Sequence, residues 1–256
     1  MCNPDETPDT ARSRELVGEY YDDPERRPAF VRNMFNRSAE YYDLVNLLFS
    51  LGSGAWYRRF CLRRAGVRMG ARVVDVAVGT GLLAREALGL AGADGLVIGV
   101  DVSEAMLAVA QRNLPIPLIQ ATAEALPVAA ESADFVTMGY ALRHVTDLQA
   151  ALAEALRVLR PGGAILVIEI SAPRHRLGRA ITKFFIGTLV PWLSQLVARD
   201  VRARILMQYH WRTILNYMPP DIIIAVLREA GFCNVTCTSY VGLFHHYVGY
   251  KPASPA

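Results

Sequence analysis

Two short stretches hold the residue types best suited to gripping a nucleoside. Val73-Val74-Asp75-Val76-Ala77-Val78 runs directly into Gly79-Thr80-Gly81. A buried strand that enters a glycine turn and then a helix brings backbone close to a ligand and offers free N–H groups to an anion. Twenty residues after Gly81, Ile98-Gly99-Val100 ends at Asp101. A carboxylate there can accept hydrogen bonds from both hydroxyls of a ribose. The spacing also fits a dinucleotide site, with Ala84 in the place of a third glycine. A third group, Tyr140, Arg143 and His144, follows a later apolar strand. His144, with an ordinary pKa of about 6.5, could take a proton from a bound substrate. Arg143 could hold an oxyanion, or pair with Asp147 four residues on. Tyr42 and Asn46 stand one helical turn apart and could face a substrate together. His245 and His246 are adjacent on a strand and so face opposite ways; at most one can enter a pocket. No His, Cys or carboxylate spacing indicates a metal site.

These residues need a scaffold, and the centre of the chain alternates cleanly. Strands are expected at Arg72–Val78, Gly95–Val100, Pro117–Gln120, Asp134–Gly139 and Ala164–Ile170. Helices are expected at Leu82–Leu90, Ser103–Asn113 and Asp147–Leu159, the last ended by Pro161-Gly162-Gly163. Ser103 is a suitable N-cap with Glu104 in the first turn. Continuous apolar strands separated by helices indicate a parallel sheet covered on both faces. Two more strands, Asn234–Tyr240 and Leu243–Tyr250, close the chain behind a helix at Asp221–Ala230. Residues 30–66 read as two helices hinged at Gly52–Gly54, and 172–218 as a helical insert after the fifth strand. Residues 1–29 form a polar, partly disordered leader with a short helix near Glu15–Tyr21; residues 30–256 form one domain.

Composition narrows the class. The 256 residues are 52% hydrophobic, which excludes a disordered chain and supplies a full core without disulfide or metal staples. A net charge of +3 argues against a nucleic-acid protein. Of 27 basic residues only Lys183 and Lys251 are lysines, the mark of a GC-rich, bacterial source. The four cysteines lack metal or redox spacing and read as reduced thiols of a cytoplasmic protein. Mean hydropathy is high at +0.21. The greasiest charge-free run, Phe184–Ala198, is shorter than the about 20 residues a spanning helix needs and contains Pro191. Lys183 and Arg199 flank it, as expected of a helix lying on an anionic membrane surface.

Asp75-x-Ala77-x-Gly79-Thr80-Gly81, followed by Gly99-Val100-Asp101-x-Ser103-x-x-Met106, resembles class I S-adenosylmethionine (SAM) methyltransferases. Ala123-Glu124-Ala125-Leu126-Pro127 looks like that fold's adenine-side loop. Met138 to Asp147, Leu156 to Gly163, Tyr42 to Asn46 with Trp56, and Gly231 to Pro252 narrow the resemblance. They are similar to the UbiE-type ubiquinone/menaquinone biosynthesis C-methyltransferases.

The resemblance implies an α/β fold: a doubly wound, mostly parallel, Rossmann-like seven-stranded sheet. SAM would lie against Asp75, Ala77, Val78, Gly79, Thr80 and Gly81 at its methionine end. Asp101 and Val102 would meet the ribose, and Met106, Thr122, Ala123 and Glu124 the adenine. Residues 30–66 and 172–218 would cover a lipophilic quinone, with Tyr42, Asn46, Trp56, Tyr57, His210 and His245 as contacts. Tyr140, Arg143 and His144 would carry the chemistry. A divalent ion is compatible with quinone chemistry but not indicated by the residues. The expected setting is peripheral, on the inner face of the membrane, as a homodimer or within a quinone-biosynthesis complex.

The sequence departs from the family at Val78 (usually Gly), Leu82 (usually Asp) and Thr122 (usually Asp or Asn). Val78 is expected to add bulk at the methionine end. These departures keep two alternatives open. One is the RquA-type relatives, which replace a ubiquinone methoxy by an amino group from SAM to make rhodoquinone. The other is a non-catalytic scaffold.

Overall fold

Runs such as Val73–Val76 and Ala164–Ile170 are apolar at nearly every position, so a stable fold must bury both of their faces. The computed structural model, which describes residues 27–173, 175–198, 200–215 and 217–253, does this with a seven-stranded sheet. The elements in chain order are α1 (Arg27–Ser50), α2 (Gly54–Ala65), β1 (Arg72–Val76), α3 (Leu82–Ala91), β2 (Leu96–Asp101), α4 (Glu104–Asn113) and β3 (Leu118–Gln120). Then come β4 (Ala133–Gly139), a 3₁₀ turn (Leu142–His144), α5 (Leu148–Val158), β5 (Leu159–Ile170) and α6 (Arg176–Phe184). A π-helical turn (Phe185–Leu189), α7 (Val190–Ala198), α8 (Val201–Leu215), α9 (Pro220–Glu229), β6 (Cys233–Tyr240) and β7 (Phe244–Tyr250) complete the chain.

The strand order is β3-β2-β1-β4-β5-β7-β6. β1 to β5 run parallel, and β7 is antiparallel to both of its neighbours. The order reverses between β1 and β4, so a crevice opens at the carboxyl ends of those strands. One face of the sheet packs on Cys61, Leu62 and Ala65 of α2 and Leu83, Ala84 and Ala87 of α3. The other packs on Leu152 and Ala155 of α5 and Ile223 and Leu227 of α9. Helix starts follow the expected chemistry: Ser103 Oγ accepts from Met106 N, and Asp147 Oδ1 accepts from Ala150 N.

Four expectations change. α1 already includes Arg27–Ala29, assigned above to the polar leader; the rest of that leader and its short helix lie outside the described residues. β5 begins at Leu159 and contains Pro161-Gly162-Gly163, which were expected to stand between helix and strand. The register jumps there, from Ala133 opposite Leu159 to Phe135 opposite Ala164. Bonds between Gly162, Gly163 and Lys251 hold the excursion.

Third, residues 176–197 are helical throughout and, by length and composition, long and apolar enough to cross a membrane. The charge-free run alone understated this, because the helix continues through Leu177, Ala180 and Ile181. One side is built into the fold: Thr182, Ile186, Val190 and Ser194 are buried, with Ile186 and Val190 packed on Val45, Met207 and Trp211. Fourth, Arg143 does not pair with Asp147; its partner is described below. Arg199 lies outside the described residues.

Candidate cofactor and acceptor site

A cavity of about 420 Å³ opens over the carboxyl ends of β1, β2 and β4. Ala77, Gly79, Asp101, Val102 and Tyr140 line it from the strand ends, Met106 and Thr122–Glu124 from one wall, and Phe35 and Tyr42 from α1. Asp101 is buried, and its two oxygens accept from Gly79 N and Ser103 N, each at 2.8 Å. Burial pushes its pKa up, and these backbone donors pull the other way. The carboxylate thus fastens the glycine turn to the end of β2. Gly79 adopts φ +56°, and the space a Cβ would occupy there is open, leaving room for a ligand over the turn. At Gly81 (φ +90°) a Cβ would overlap Leu114 Cδ1. Ala77 (φ +55°) and Tyr140 (φ +61°) are non-glycine residues in the left-handed region, each costing roughly 1–3 kcal/mol, and both line the cavity.

α1 is tied down over this floor. Thr80 Oγ1 donates to Asp43 Oδ1 at 2.5 Å, and Ser103 Oγ to Asn36 Oδ1 at 2.6 Å. Glu124 Oε1 accepts from Thr146 N and Asp147 N, so its carboxylate is anchored at the entry to α5 while the residue lines the cavity.

A narrow cleft of about 40 Å³ continues the cavity, lined by Asp75, Val78, Thr80, Leu82 and Arg58 among others. Asp75 faces Gly99 and Thr137 across the sheet. Its Oδ1 accepts from Thr137 Oγ1 at 2.6 Å, Oδ2 has no partner, and burial pushes its pKa up to about 7. The bulk expected from Val78 is turned toward the sheet: a Cβ on Gly99 would lie 3.0 Å from each of its γ-methyls.

A third space, about 290 Å³ and mostly apolar, lies beside the first. Tyr42, Asn46, Trp56, Tyr57, Arg58, Tyr140, Arg143 and His210 line it, with Phe244 from β7. Tyr42 and Tyr140 line all three spaces and form the junction. Arg143 Nη1 donates to Glu169 Oε2 at 2.5 Å. Burial raises the Glu169 pKa and Arg143 pulls it back. His210 is pushed down to about 3 by burial and then by Arg143, so it is neutral, and its Nε2 is buried without a partner.

His144 lines the first cavity and not this one. Its Nδ1 lies 3.1 Å from Tyr209 Oη, with the rings stacked at 5.6 Å. His245 lines neither cavity: its Nε2 lies 2.8 Å from Ser171 Oγ, and Phe244, one residue earlier, reaches the lining instead. Trp56 is 66% exposed at the rim, stacked on Phe60. Arg58 and Glu169 were not foreseen, nor were the lining rings Phe35 and Phe244 or the α1 anchors Asn36 and Asp43. Among the described residues, no group of three or more His, Cys, Asp or Glu side chains could hold a metal ion.

A sequence model of the ubiE/COQ5 methyltransferase family matches residues 22–251. The chain belongs to the ubiE/COQ5 methyltransferase family. The chain is 32% identical to the Ubiquinone/menaquinone biosynthesis C-methyltransferase UbiE of Shewanella pealeana, over 89% of this chain and 92% of that one. It is 35% identical to the UbiE of Hahella chejuensis, over 81% and 85%. Among solved structures, a SAM-dependent methyltransferase from Thermotoga maritima is similar in fold, with a TM-score of 0.61 and 23% identity over 86% of this chain and 98% of that one. Another from Aquifex aeolicus has a TM-score of 0.54 and 15% identity over 75% and 88%. This ubiE/COQ5 family member is therefore a class I SAM-dependent methyltransferase with SAM as its cofactor. The residues present fit that cofactor. Open space lies over Gly79, a buried carboxylate with two oxygens stands at Asp101, and Met106 supplies an apolar wall.

Proposed function

We propose that this enzyme C-methylates the head group of a polyprenyl quinol in ubiquinone or menaquinone biosynthesis. The observation that carries the reading is the acceptor cavity. It is apolar, it meets the cofactor cavity at Tyr42 and Tyr140, and Arg143 with its buried carboxylate partner lines it. Relatives named C-methyltransferases of the same biosynthesis support it.

When bound, SAM supplies a methyl group activated on a sulfonium. The chain's residues do the rest. A quinol ring becomes nucleophilic at carbon once a hydroxyl has given its proton to solvent, Arg143 stabilises that oxyanion among mostly apolar walls, and the ring carbon releases its own proton to solvent after the methyl is attached. Glu169 fixes the direction of the guanidinium. Neutral His210 offers Nε2 as a hydrogen-bond partner to a ring oxygen. Tyr42 and Tyr140 set the ring beside the cofactor cavity. Val241, 90% exposed, and Trp56 line the mouth, where an isoprenoid tail can leave.

The same reading places the enzyme peripherally on the inner face of the membrane. Leu177, Ile181, Phe184, Trp192 and Leu196 are exposed along one stripe of the 176–198 helix, with Arg176, Arg179 and Lys183 exposed beside them. A helix with one face packed on its own domain and an apolar, basic outer face suits the headgroup layer rather than a spanning pose.

One observation favours a second reading, SAM-dependent exchange of a ubiquinone methoxy for an amino group. Leu82 lines the narrow cleft where the resemblance leads one to expect Asp, and Val78, which replaces the expected Gly there, turns its methyls toward Gly99. Incubation with SAM and either a demethylated quinol or ubiquinone, followed by mass spectrometry, separates the readings. Methyl gain with release of S-adenosylhomocysteine is the expected result. A methoxy-to-amino exchange selects the second reading. Neither product, with SAM still bound in calorimetry, indicates a non-catalytic scaffold.

A further inference from the structure

We propose that Arg58 binds the α-carboxylate of the methionyl group of SAM, and so sets the enzyme's preference for nucleosides that carry an amino acid. Arg58 lies on α2 and is only 8% exposed. A guanidinium so far from water is costly unless an anion meets it. Among the described residues no carboxylate lies within ion-pair distance of it. Its partners are Asn46 Oδ1, at a long 3.4 Å, and the Tyr140 ring, 5.7 Å away. Arg143, the other buried arginine of the site, already has Glu169. Arg58 is therefore the buried arginine of the site that no carboxylate meets among the described residues.

Its location says which anion. Arg58 lines the narrow cleft that shares Tyr42, Ala77, Gly79 and Tyr140 with the cofactor cavity but none of its Val102–Glu124 wall. That is the end of the cofactor site away from ribose and adenine. The cleft has two charge-bearing side chains, Arg58 and Asp75, and Asp75 Oδ2 is buried without a partner. One cation and one carboxyl group complement the carboxylate and ammonium of a zwitterionic amino acid. Gly54 keeps the space for the guanidinium, since a Cβ there would lie 2.9 Å from Arg58 Nη1. Arg58 also lines the acceptor cavity, so a quinol oxyanion is the competing anion, and the test separates the two.

The inference rests on SAM as cofactor and is independent of the acceptor's identity. The experiment is calorimetry on the full chain with three ligands: S-adenosylhomocysteine, its decarboxylated analogue, and 5′-methylthioadenosine, which lacks the whole amino-acid group. The unmutated protein is expected to favour S-adenosylhomocysteine over the decarboxylated analogue by about 10- to 100-fold, the range of one charge-assisted hydrogen bond. Arg58→Gln should weaken S-adenosylhomocysteine by that factor, erase the preference, and leave 5′-methylthioadenosine within about twofold. Arg58→Lys should restore part of the preference, and Gly54→Ala, which crowds the guanidinium, should reduce it. Equal affinity of the unmutated protein for the first two ligands overturns the proposal without any variant. So does equal weakening of all three ligands by Arg58→Gln, which is a structural effect. An unchanged S-adenosylhomocysteine affinity with a raised quinol KM assigns Arg58 to the acceptor instead and also overturns it.

Discussion

Arg143 and Glu169 meet at 2.5 Å with their side chains 3% and 1% exposed, joining the turn after β4 to the end of β5. Removing one member of a sealed ion pair strands the other charge, at a cost of about 3–5 kcal/mol. Glu169→Ala should therefore lower the melting temperature by roughly 6–20 °C for a domain of this size. Glu169→Gln keeps the shape and an acceptor oxygen and should melt nearer the unmutated protein. Its kcat should fall more than its affinity for SAM, because Arg143 loses its aim on the acceptor. A Glu169→Ala variant with unchanged melting and turnover would refute the pairing.

In the proposed pose Asp101 and Arg58 meet different ends of the cofactor, and their variants should have different signatures. Asp101→Ala removes the acceptor for the ribose hydroxyls and also releases Gly79 N and Ser103 N. Affinity should drop about 10- to 100-fold for S-adenosylhomocysteine and 5′-methylthioadenosine alike. A loss confined to S-adenosylhomocysteine would show that Asp101 does not hold the ribose.

Asp75 makes both stability and cofactor affinity depend on pH. Its folded pKa of about 7 lies above its ordinary value of 3.8, mainly through burial. The protonated form is the one the fold favours. Its contribution is complete below the ordinary value and is lost as pH rises through about 7. Asp75→Asn cannot ionise, so melting of the variant should fall less steeply than that of the unmutated protein between those limits. An ammonium in the cleft favours the opposite, ionised form. SAM affinity of the unmutated protein should rise toward pH 7 with proton release, seen as calorimetric heats that vary with the buffer. The release should be missing in Asp75→Asn. Identical proton release in both proteins would place the titration elsewhere. Thr137→Val removes the hydrogen bond that favours the carboxylate and should shift the profile to higher pH.

The two halves of the site differ in how far the amino-acid sequence exposes them. Gly79 and Asp101 belong to one β-α-β unit, so strand ends, turn and carboxylate lie close together along the chain. The acceptor half and the narrow cleft converge from distant segments: Arg58 on α2, Glu169 on β5 and His210 on α8. Arg58 hides among neighbouring arginines, although it falls in phase with the buried positions Gly54, Cys61, Leu62 and Ala65. Glu169 is a lone carboxylate in an apolar strand, a pattern that demands a buried cation without naming it. Alternation correctly sends His245 and His246 to opposite faces but says nothing of which cavity either face meets. Val78 shows bulk in the sequence but not direction, and its outlet, Gly99, appears only through the register of β1 with β2.

The exposed stripe on the 176–198 helix yields the last prediction. Phe184 and Trp192 are large, more than half exposed, and on the same face as Leu177, Ile181 and Leu196. Each would lose water contact in a headgroup layer, and full burial of such a side chain is worth about 1.5–3 kcal/mol. Phe184→Ser with Trp192→Ser should cut binding to vesicles of anionic phospholipid by at least about tenfold, taking only part of that gain. Melting should barely change, because neither side chain is buried in the fold. Turnover of a water-soluble, short-tailed quinol should persist while that of a long-tailed quinol in vesicles falls. Arg179→Glu with Lys183→Glu should weaken vesicle binding in a salt-dependent way. Unchanged vesicle binding combined with a loss of self-association in sedimentation would identify the stripe as a contact between two copies of the chain.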